Sequence, residues 1–198
     1  MIKKVLFVLI ISILILSISG CTDEVVEDTP ANTEVTGVTT NTVIDTIPAD
    51  YGGQELVPME SLPESYELLG VRELSVEYVE DKYVSVSGII GASEGLYMYM
   101  DSIDVYVDVI EMSDSTSAEE FITEYKAGFR SLSVGEGRFT DVSFNKHSAV
   151  RILEYVTVDT NDVKRYNYIW NNGKFVFVVG GATDDYTVLG ELAEATGY

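Results

Sequence analysis

The chain has 198 residues, of which 33 are acidic and 12 are basic, so its formal net charge is −21 at pH 7. Such a charge repels phosphate groups, which argues against nucleic acid and anionic lipid headgroups as direct partners. Cys21 is the only cysteine, so the sequence holds neither a disulfide framework nor a cysteine metal site. We find no cofactor motif and expect no bound cofactor.

The first twenty-one residues have the pattern of a secretory signal. Lys3 and Lys4 precede an apolar run over residues 5–18, and small residues follow it. The four residues that end at Cys21, ISGC, resemble the lipobox of prokaryotic lipoproteins. This resemblance implies cleavage after residue 20, a lipid on the Cys21 thiol, and a location on the outer face of the cell membrane. The alternative is an uncleaved signal anchor, although the run is shorter than the roughly 18 apolar residues of a spanning helix.

Residues 22–50 have the composition of a spacer, with eight threonines, seven acids, no basic residue and no aromatic residue. Such a segment buries too little apolar surface to offset its ordering entropy, so we predict a disordered tether. As a flexible coil it would reach roughly 30 Å. The predicted organisation is a signal peptide over 1–20, a lipidated cysteine and tether over 21–50, and one domain over 51–198.

The first part of the domain contains several short runs of apolar residues. Residues 51–65 predict an irregular lead-in, and the runs 66–71 and 74–83 fit either strands or short helices. Residues 84–90 alternate, which predicts a strand that ends at Gly91. Residues 96–112 keep period two with a change of parity at Asp101-Ser102, which predicts a tight turn or a bulge.

A helix is predicted after residue 117. Ser117 and Glu120 have capping-box spacing, and the segment 131–137 would end the helix. Its apolar residues recur at spacings of three and four and form one stripe, made of Ala118, Phe121, Ile122, Tyr125, Phe129 and Leu132.

Two hairpins are predicted in the last third of the chain. A turn at Asn172-Gly173 would pair Trp170 with Phe175, and a turn at Thr160-Asn161 would place Arg151 opposite Trp170, over the indole. The three strands would share one aromatic face, made of Leu153, Tyr155, Tyr166, Tyr168, Trp170, Phe175 and Phe177. We interpret this face as core beneath the helix stripe; the alternative is an exposed ligand platform.

A final helix is predicted after Gly180-Gly181, with Thr183 or Asp184 as its cap. Its apolar side consists of Val188, Leu189, Leu192 and Ala193. The resulting order of elements predicts a single α+β domain, in which two main helices pack on an antiparallel sheet that includes a three-stranded C-terminal meander.

Catalytic and metal-binding patterns are sparse. The only histidine, His147, is predicted to lie in a turn, and no serine has the sequence context of a hydrolase nucleophile. Two groups of carboxylates are weak calcium candidates: Asp104 with Asp108 on one strand, and Asp159 with Asp162 in a turn. Neither group continues as an EF-hand, so we favour the interpretation that they lie on a solvated face.

Three segments resemble uncharacterised acidic surface lipoproteins of archaea. They are the NKHSA sequence at 145–149, the RYNYIW sequence at 165–170 and the closing ATGY at 195–198. The resemblance covers most of 64–198 and implies no activity. The order of elements is also similar to that of the Mog1/PsbP-like sandwich, and function does not follow from such a topology.

The sequence therefore predicts a lipid-anchored extracytoplasmic protein that binds a small ligand or another protein. The first alternative is an exported hydrolase that uses carboxylates, with or without calcium. The second is a passive component of the cell envelope.

Overall fold

Alternating apolar residues dominate the domain, and they form one antiparallel sheet with helices on both faces. The computed structural model describes residues 46–198, except Ser133, Val134 and Glu136. The predicted signal peptide, Cys21 and residues 22–45 of the predicted tether lie outside this part. Within it, the strands are β1 (Tyr66–Leu74), β2 (Ile89–Tyr99), β3 (Ile103–Met112), β4 (Phe139–Phe144), β5 (His147–Val158), β6 (Asn161–Asn172) and β7 (Phe175–Gly181). A 3-10 turn (Gln54–Leu56) precedes them, and the helices are α1 (Val76–Lys82), α2 (Ser115–Ala127) and α3 (Tyr186–Ala195).

The strands are arranged in the order β1-β2-β3-β7-β6-β5-β4. Two meanders, β1 to β3 and β4 to β7, join where β3 pairs antiparallel with β7. The chain crosses from β3 to the edge strand β4 through α2. This architecture confirms the prediction of a single α+β domain, and it adds β4 to the predicted C-terminal meander.

The face of the sheet that α3 covers holds the larger group of aromatic side chains. Trp170 is 1% exposed and Phe177 is fully buried, so the prediction that the aromatic face is core is confirmed for most of its residues. Tyr155, which was predicted to share this face, is 47% exposed and lies outside the core. Four apolar residues of α3 are buried against it, as predicted: Val188, Leu189, Leu192 and Ala193. Ile47 and Tyr51 also pack against this face, so the packed chain includes residues ahead of the predicted boundary at 51.

The opposite face carries α1 and α2. Ala118 and Phe121 of α2 are fully buried there, against Ile152 and other aliphatic side chains of the central strands. The prediction that the α2 stripe covers the aromatic face is therefore wrong. The connection from Gly181 to α3 is short and returns α3 over the aromatic face, which leaves the aliphatic face for α2.

Both hairpin registers differ from the prediction by two residues. Trp170 pairs with Phe177 and Arg151 pairs with Tyr168, because the turns are Gly173-Lys174 and Asp159-Thr160. Asp159 and Thr160 adopt positive φ of 47° and 73°, as a type I′ turn requires. A shift of two residues preserves the side of the sheet on which each residue lies, so the predicted faces survive the wrong pairing.

Three local predictions are corrected. Residues 84–88 form a loop instead of a strand, because Val84 and Val86 pack against the α2 face and Gly88 has a φ of 89°. The caps of α2 and α3 are Asp114 and Asp185. Each accepts a hydrogen bond from a backbone N–H two or three residues later.

Candidate functional site

A cavity of about 480 Å³ opens on the α1 and α2 face of the sheet. We call it the α1–α2 cavity. It lies where the two helices end and leave the strand ends uncovered. Tyrosine rings, amide groups and charged groups of both signs surround it; the lining residues are Lys82, Tyr83, Asp104, Tyr106, Tyr125, Glu154, Val156, Arg165, Asn167, Gly181 and Ala182.

A network of charged groups around two buried carboxylates supports one wall of the cavity. Lys82 is the last residue of α1, and its Nζ lies 2.8 Å from Oδ2 of Asp108 on β3 and 3.4 Å from Oε1 of Glu94 on β2. Arg72 binds the other carboxylate oxygen of Glu94 at 2.5 Å. The Tyr83 hydroxyl donates to Asp108 Oδ2 at 2.5 Å. The short helix α1 thus carries its final lysine over two neighbouring carboxylates.

Asp108 is the least solvated member of this network. Its side chain is 0% exposed, and its Oδ1 has no hydrogen-bond partner among the described residues. Burial raises the pKa of Asp108, while Lys82 and Tyr83 oppose that rise. Burial also raises the pKa of Tyr83, so this hydroxyl stays protonated and donates. A buried oxygen without a partner costs free energy unless a water or a ligand group reaches it.

A second set of hydrogen bonds forms the wall beside β6. The Tyr106 hydroxyl donates to Oδ1 of Asn167 at 3.2 Å, and Nδ2 of Asn167 donates to Oε1 of Glu154 at 2.6 Å. Burial raises the pKa of Glu154, and the Asn167 amide opposes the rise. The ammonium of Lys82 lies 4.0 Å from the centre of the Tyr106 ring, which links the two walls by a cation–π contact.

The close approach of these groups requires a glycine on β7. A Cβ at Gly180 would lie 2.2 Å from Oδ1 of Asn167 and 2.4 Å from the Tyr106 hydroxyl. We therefore expect Gly180→Ala to displace both side chains and to lower the free energy of unfolding by about 1–3 kcal/mol, as overpacking does. Urea denaturation measures the loss. Gly70→Ala is the control, because a Cβ there meets no atom within 4 Å; an equal loss in both variants would contradict the steric argument.

The structure separates the four calcium candidates. Asp104 is exposed at the cavity mouth, whereas Asp108 is buried, so the interpretation that all four lie on a solvated face is wrong for Asp108. The two lie four residues apart on β3, which is about 13 Å along a strand and too far to share an ion. Asp159 and Asp162 are exposed at the β5–β6 turn, where Asp162 accepts from the Thr157 hydroxyl at 3.0 Å.

The described residues, 46–198 without Ser133, Val134 and Glu136, contain no group of three or more potential metal ligands. His147 is the first residue of β5, beside the turn in which it was predicted, and its Nε2 lies 3.2 Å from Nδ2 of Asn172. Cys21 lies outside the described residues. None of the described helices is long and apolar enough to cross a membrane.

Sequence reasoning missed most of the cavity, including Lys82, Tyr83, Tyr106 and Glu154. One signal was present. Asp108 is flanked on both sides by valines in a strand that is apolar on both faces, and an acid in such a strand is expected to be buried and paired. Its partner Lys82 lies 26 residues away in the chain, and no local pattern connects them.

Neither a family model nor a curated protein matches this chain.

Proposed function

We propose that this chain is a lipid-anchored extracytoplasmic binding module that takes a small polar ligand in the α1–α2 cavity. One observation carries the proposal: three tyrosine rings and several hydrogen-bonding groups converge on this cavity. Two of its lining residues, Lys82 and Tyr83, also bind the buried carboxylate of Asp108, whose Oδ1 has no partner among the described residues. Binding sites combine apolar surface with a few convergent polar groups in this way.

The charges around the cavity indicate the kind of ligand. The lining residues carry two positive charges, on Lys82 and Arg165, and two negative charges, on Asp104 and Glu154, so the lining has no formal net charge. The rings of Tyr83, Tyr106 and Tyr125 add flat apolar surface. A neutral or zwitterionic molecule with several hydroxyl or amino groups, such as a sugar or an amino acid, fits this lining better than a multiply charged ion does.

A ligand panel tests the cavity. We expect a monosaccharide or an amino acid to raise the melting temperature of the full-length protein in non-ionic detergent, because a ligand that binds only the folded state stabilises it by mass action. Glu154→Gln and Arg165→Gln should weaken the effect at least tenfold. Glu119→Gln and Arg130→Gln change the same charges at exposed positions outside the cavity. Equal stabilisation in all four variants would place binding elsewhere.

The membrane anchor is a separate part of the proposal. It is supported by the lipobox-like sequence that ends at Cys21 and by the polar composition of residues 22–50. We expect Cys21→Ala to release the protein from the membrane fraction. Retention of a cleaved Cys21→Ala protein would contradict the anchor and leave the cavity proposal intact.

A carboxylate-dependent hydrolase is the second candidate, and Glu154 is the observation that favours it. Burial raises the pKa of this carboxyl in the cavity, which is the direction of shift that a general acid needs. Glu154→Gln would then abolish turnover of a bound substrate without abolishing its binding. Binding without turnover in the unmodified protein would leave the binding module as the function, and the absence of any ligand would favour a passive envelope component.

A further inference from the structure

A second pocket, of about 350 Å³, lies on the other face of the sheet, beside the start of α3. We call it the Arg151 pocket; its lining residues are Gly137, Thr140, Arg151, Leu153, Tyr166 and Tyr186. It shares no lining residue with the α1–α2 cavity. Its chemistry is also different, because Arg151 is the one charged side chain among the described residues that line it.

Two tyrosine rings hold the guanidinium of Arg151. Its Cζ lies 3.9 Å from the ring centre of Tyr186 and 5.6 Å from that of Tyr166. The two rings lie 5.5 Å apart and are nearly perpendicular, at 77°. Stacking on an aromatic face fixes the plane of a guanidinium while its N–H groups stay available at the edge.

The donors of Arg151 are little used within the protein. Burial raises the pKa of Tyr168, and Arg151 opposes that rise, which places the guanidinium beside the Tyr168 hydroxyl. In the described part of the chain, no carboxylate forms an ion pair with Arg151. Asp185, the cap of α3, accepts hydrogen bonds from the N–H and the hydroxyl of Thr187. Several of the five guanidinium donors therefore remain for a ligand.

Four other cations of the domain are bonded within the protein, in contrast to Arg151. Arg72, Lys82 and Lys174 each lie within 4 Å of a carboxylate oxygen. Arg138 donates to the carbonyl oxygens of Arg130 and Leu153. Arg151 is half-buried, and the two tyrosine rings hold it in the pocket without a carboxylate partner in the described part of the chain.

We propose that the Arg151 pocket binds the carboxylate of a small organic acid. The guanidinium edge forms a bidentate pair with the carboxylate, and the Thr140 hydroxyl lies on the neighbouring strand beside it. Leu153 and the tyrosine rings contact the apolar body of the ligand. One positive charge neutralises a monocarboxylate, whereas a dianion such as phosphate would remain charged within a strongly acidic protein.

Titration of the full-length protein in non-ionic detergent with benzoate tests this proposal. Benzamide is the neutral control of the same shape, and inorganic phosphate is the anionic control without an apolar body. We expect benzoate to bind with a Kd of about 1 mM or lower, and to shift the backbone amide resonances of Thr140 and Leu153. Arg151→Gln should weaken benzoate at least tenfold, and Arg151→Lys should weaken it less, because lysine keeps the charge but loses the planar fork.

Arg130→Gln is the matched control, since it removes the same charge from an exposed site outside the pocket. The comparison of benzoate with benzamide needs no variant, so it stands even if Arg151→Gln does not fold. Equal affinity for benzamide or for phosphate would overturn the proposal. Resonance shifts confined to other regions of the protein would also overturn it. The same holds if benzoate does not bind at a concentration of about ten times the expected Kd. None of these outcomes bears on the α1–α2 cavity.

Discussion

Replacing Lys82 with methionine is expected to lower the free energy of unfolding by about 3 kcal/mol at pH 7, because it leaves a buried carboxylate without its cation. Asp108 is 0% exposed, and the Lys82 side chain that pairs with it is 21% exposed. Methionine keeps the length of the side chain and removes the charge. Urea denaturation followed by Trp170 fluorescence measures the loss. Lys174→Met is the control, because its ion pair with Glu111 is more exposed, at 35% and 21%, and we expect it to cost about 1 kcal/mol or less.

The effect of pH identifies the cause of this loss. Burial raises the pKa of Asp108 and Lys82 lowers it, so Lys82→Met should raise it further. Asp108 of the folded variant then keeps a proton at pH values where the same carboxyl of the unfolded chain, with an ordinary pKa of about 3.9, has lost it. Its stability relative to the unmodified protein therefore rises as the pH falls from 7 towards 4. Combining Asp108→Asn with Lys82→Met should recover most of the lost free energy of unfolding at pH 7. A loss that is independent of pH, or one that the double variant retains, would mean that packing and not charge is responsible.

The sheet could be predicted from sequence because its signal is local. Period-two alternation located β3 and the C-terminal part of β2, turn signals located the last three strands, and the parity change at Asp101-Ser102 located a tight turn. There Met100 and Asp101 adopt φ of 48° and 57°. The hairpin registers could not be derived in the same way. A two-residue turn can be placed one position earlier or later while the same residues still face the core. Cross-strand packing decides between these placements.

The assignment of helices to faces was beyond the sequence for a different reason. The α2 stripe fits any apolar surface, and both faces of the sheet are apolar. What decides is the route of the chain: α2 crosses from the central strand β3 to the edge strand β4. The loop at 84–88 illustrates the same limit. Val84 and Val86 are half-buried because the loop packs against α2, and this gives the loop the alternating sequence pattern of a strand.

The candidate site was the least predictable part of the molecule. Its groups come from α1, α2 and four strands, and the groups that bond to each other across it are distant in sequence. Tyr106 and Asn167, for example, are 61 residues apart. Only the sheet brings β3 and β6 close enough for their side chains to meet, on either side of Gly180. Sequence could identify the unusual residue, Asp108, but not the residues that surround it.

Truncation of Trp170 to alanine is expected to produce the largest loss of stability, about 4 kcal/mol. The indole is 1% exposed and stacks on Phe177 with the ring centres 5.1 Å apart and an interplanar angle of 8°. Its Nε1 donates to the backbone oxygen of Tyr198 at 3.1 Å, so the same side chain holds the residues that follow α3 against the sheet.

A second substitution at Trp170 separates packing from hydrogen bonding. Trp170→Phe should cost about 2 kcal/mol, because it retains an aromatic ring but leaves the buried Tyr198 oxygen without this donor. Tyr155→Ala is the control, since that ring is 47% exposed on the neighbouring strand, and we expect a change within about 0.5 kcal/mol. The chain has one tryptophan, so circular dichroism must follow the unfolding of these variants. If Trp170→Ala and Tyr155→Ala were equally stable, the aromatic face would contribute little to the core. The domain would then depend mainly on the aliphatic face beneath α2.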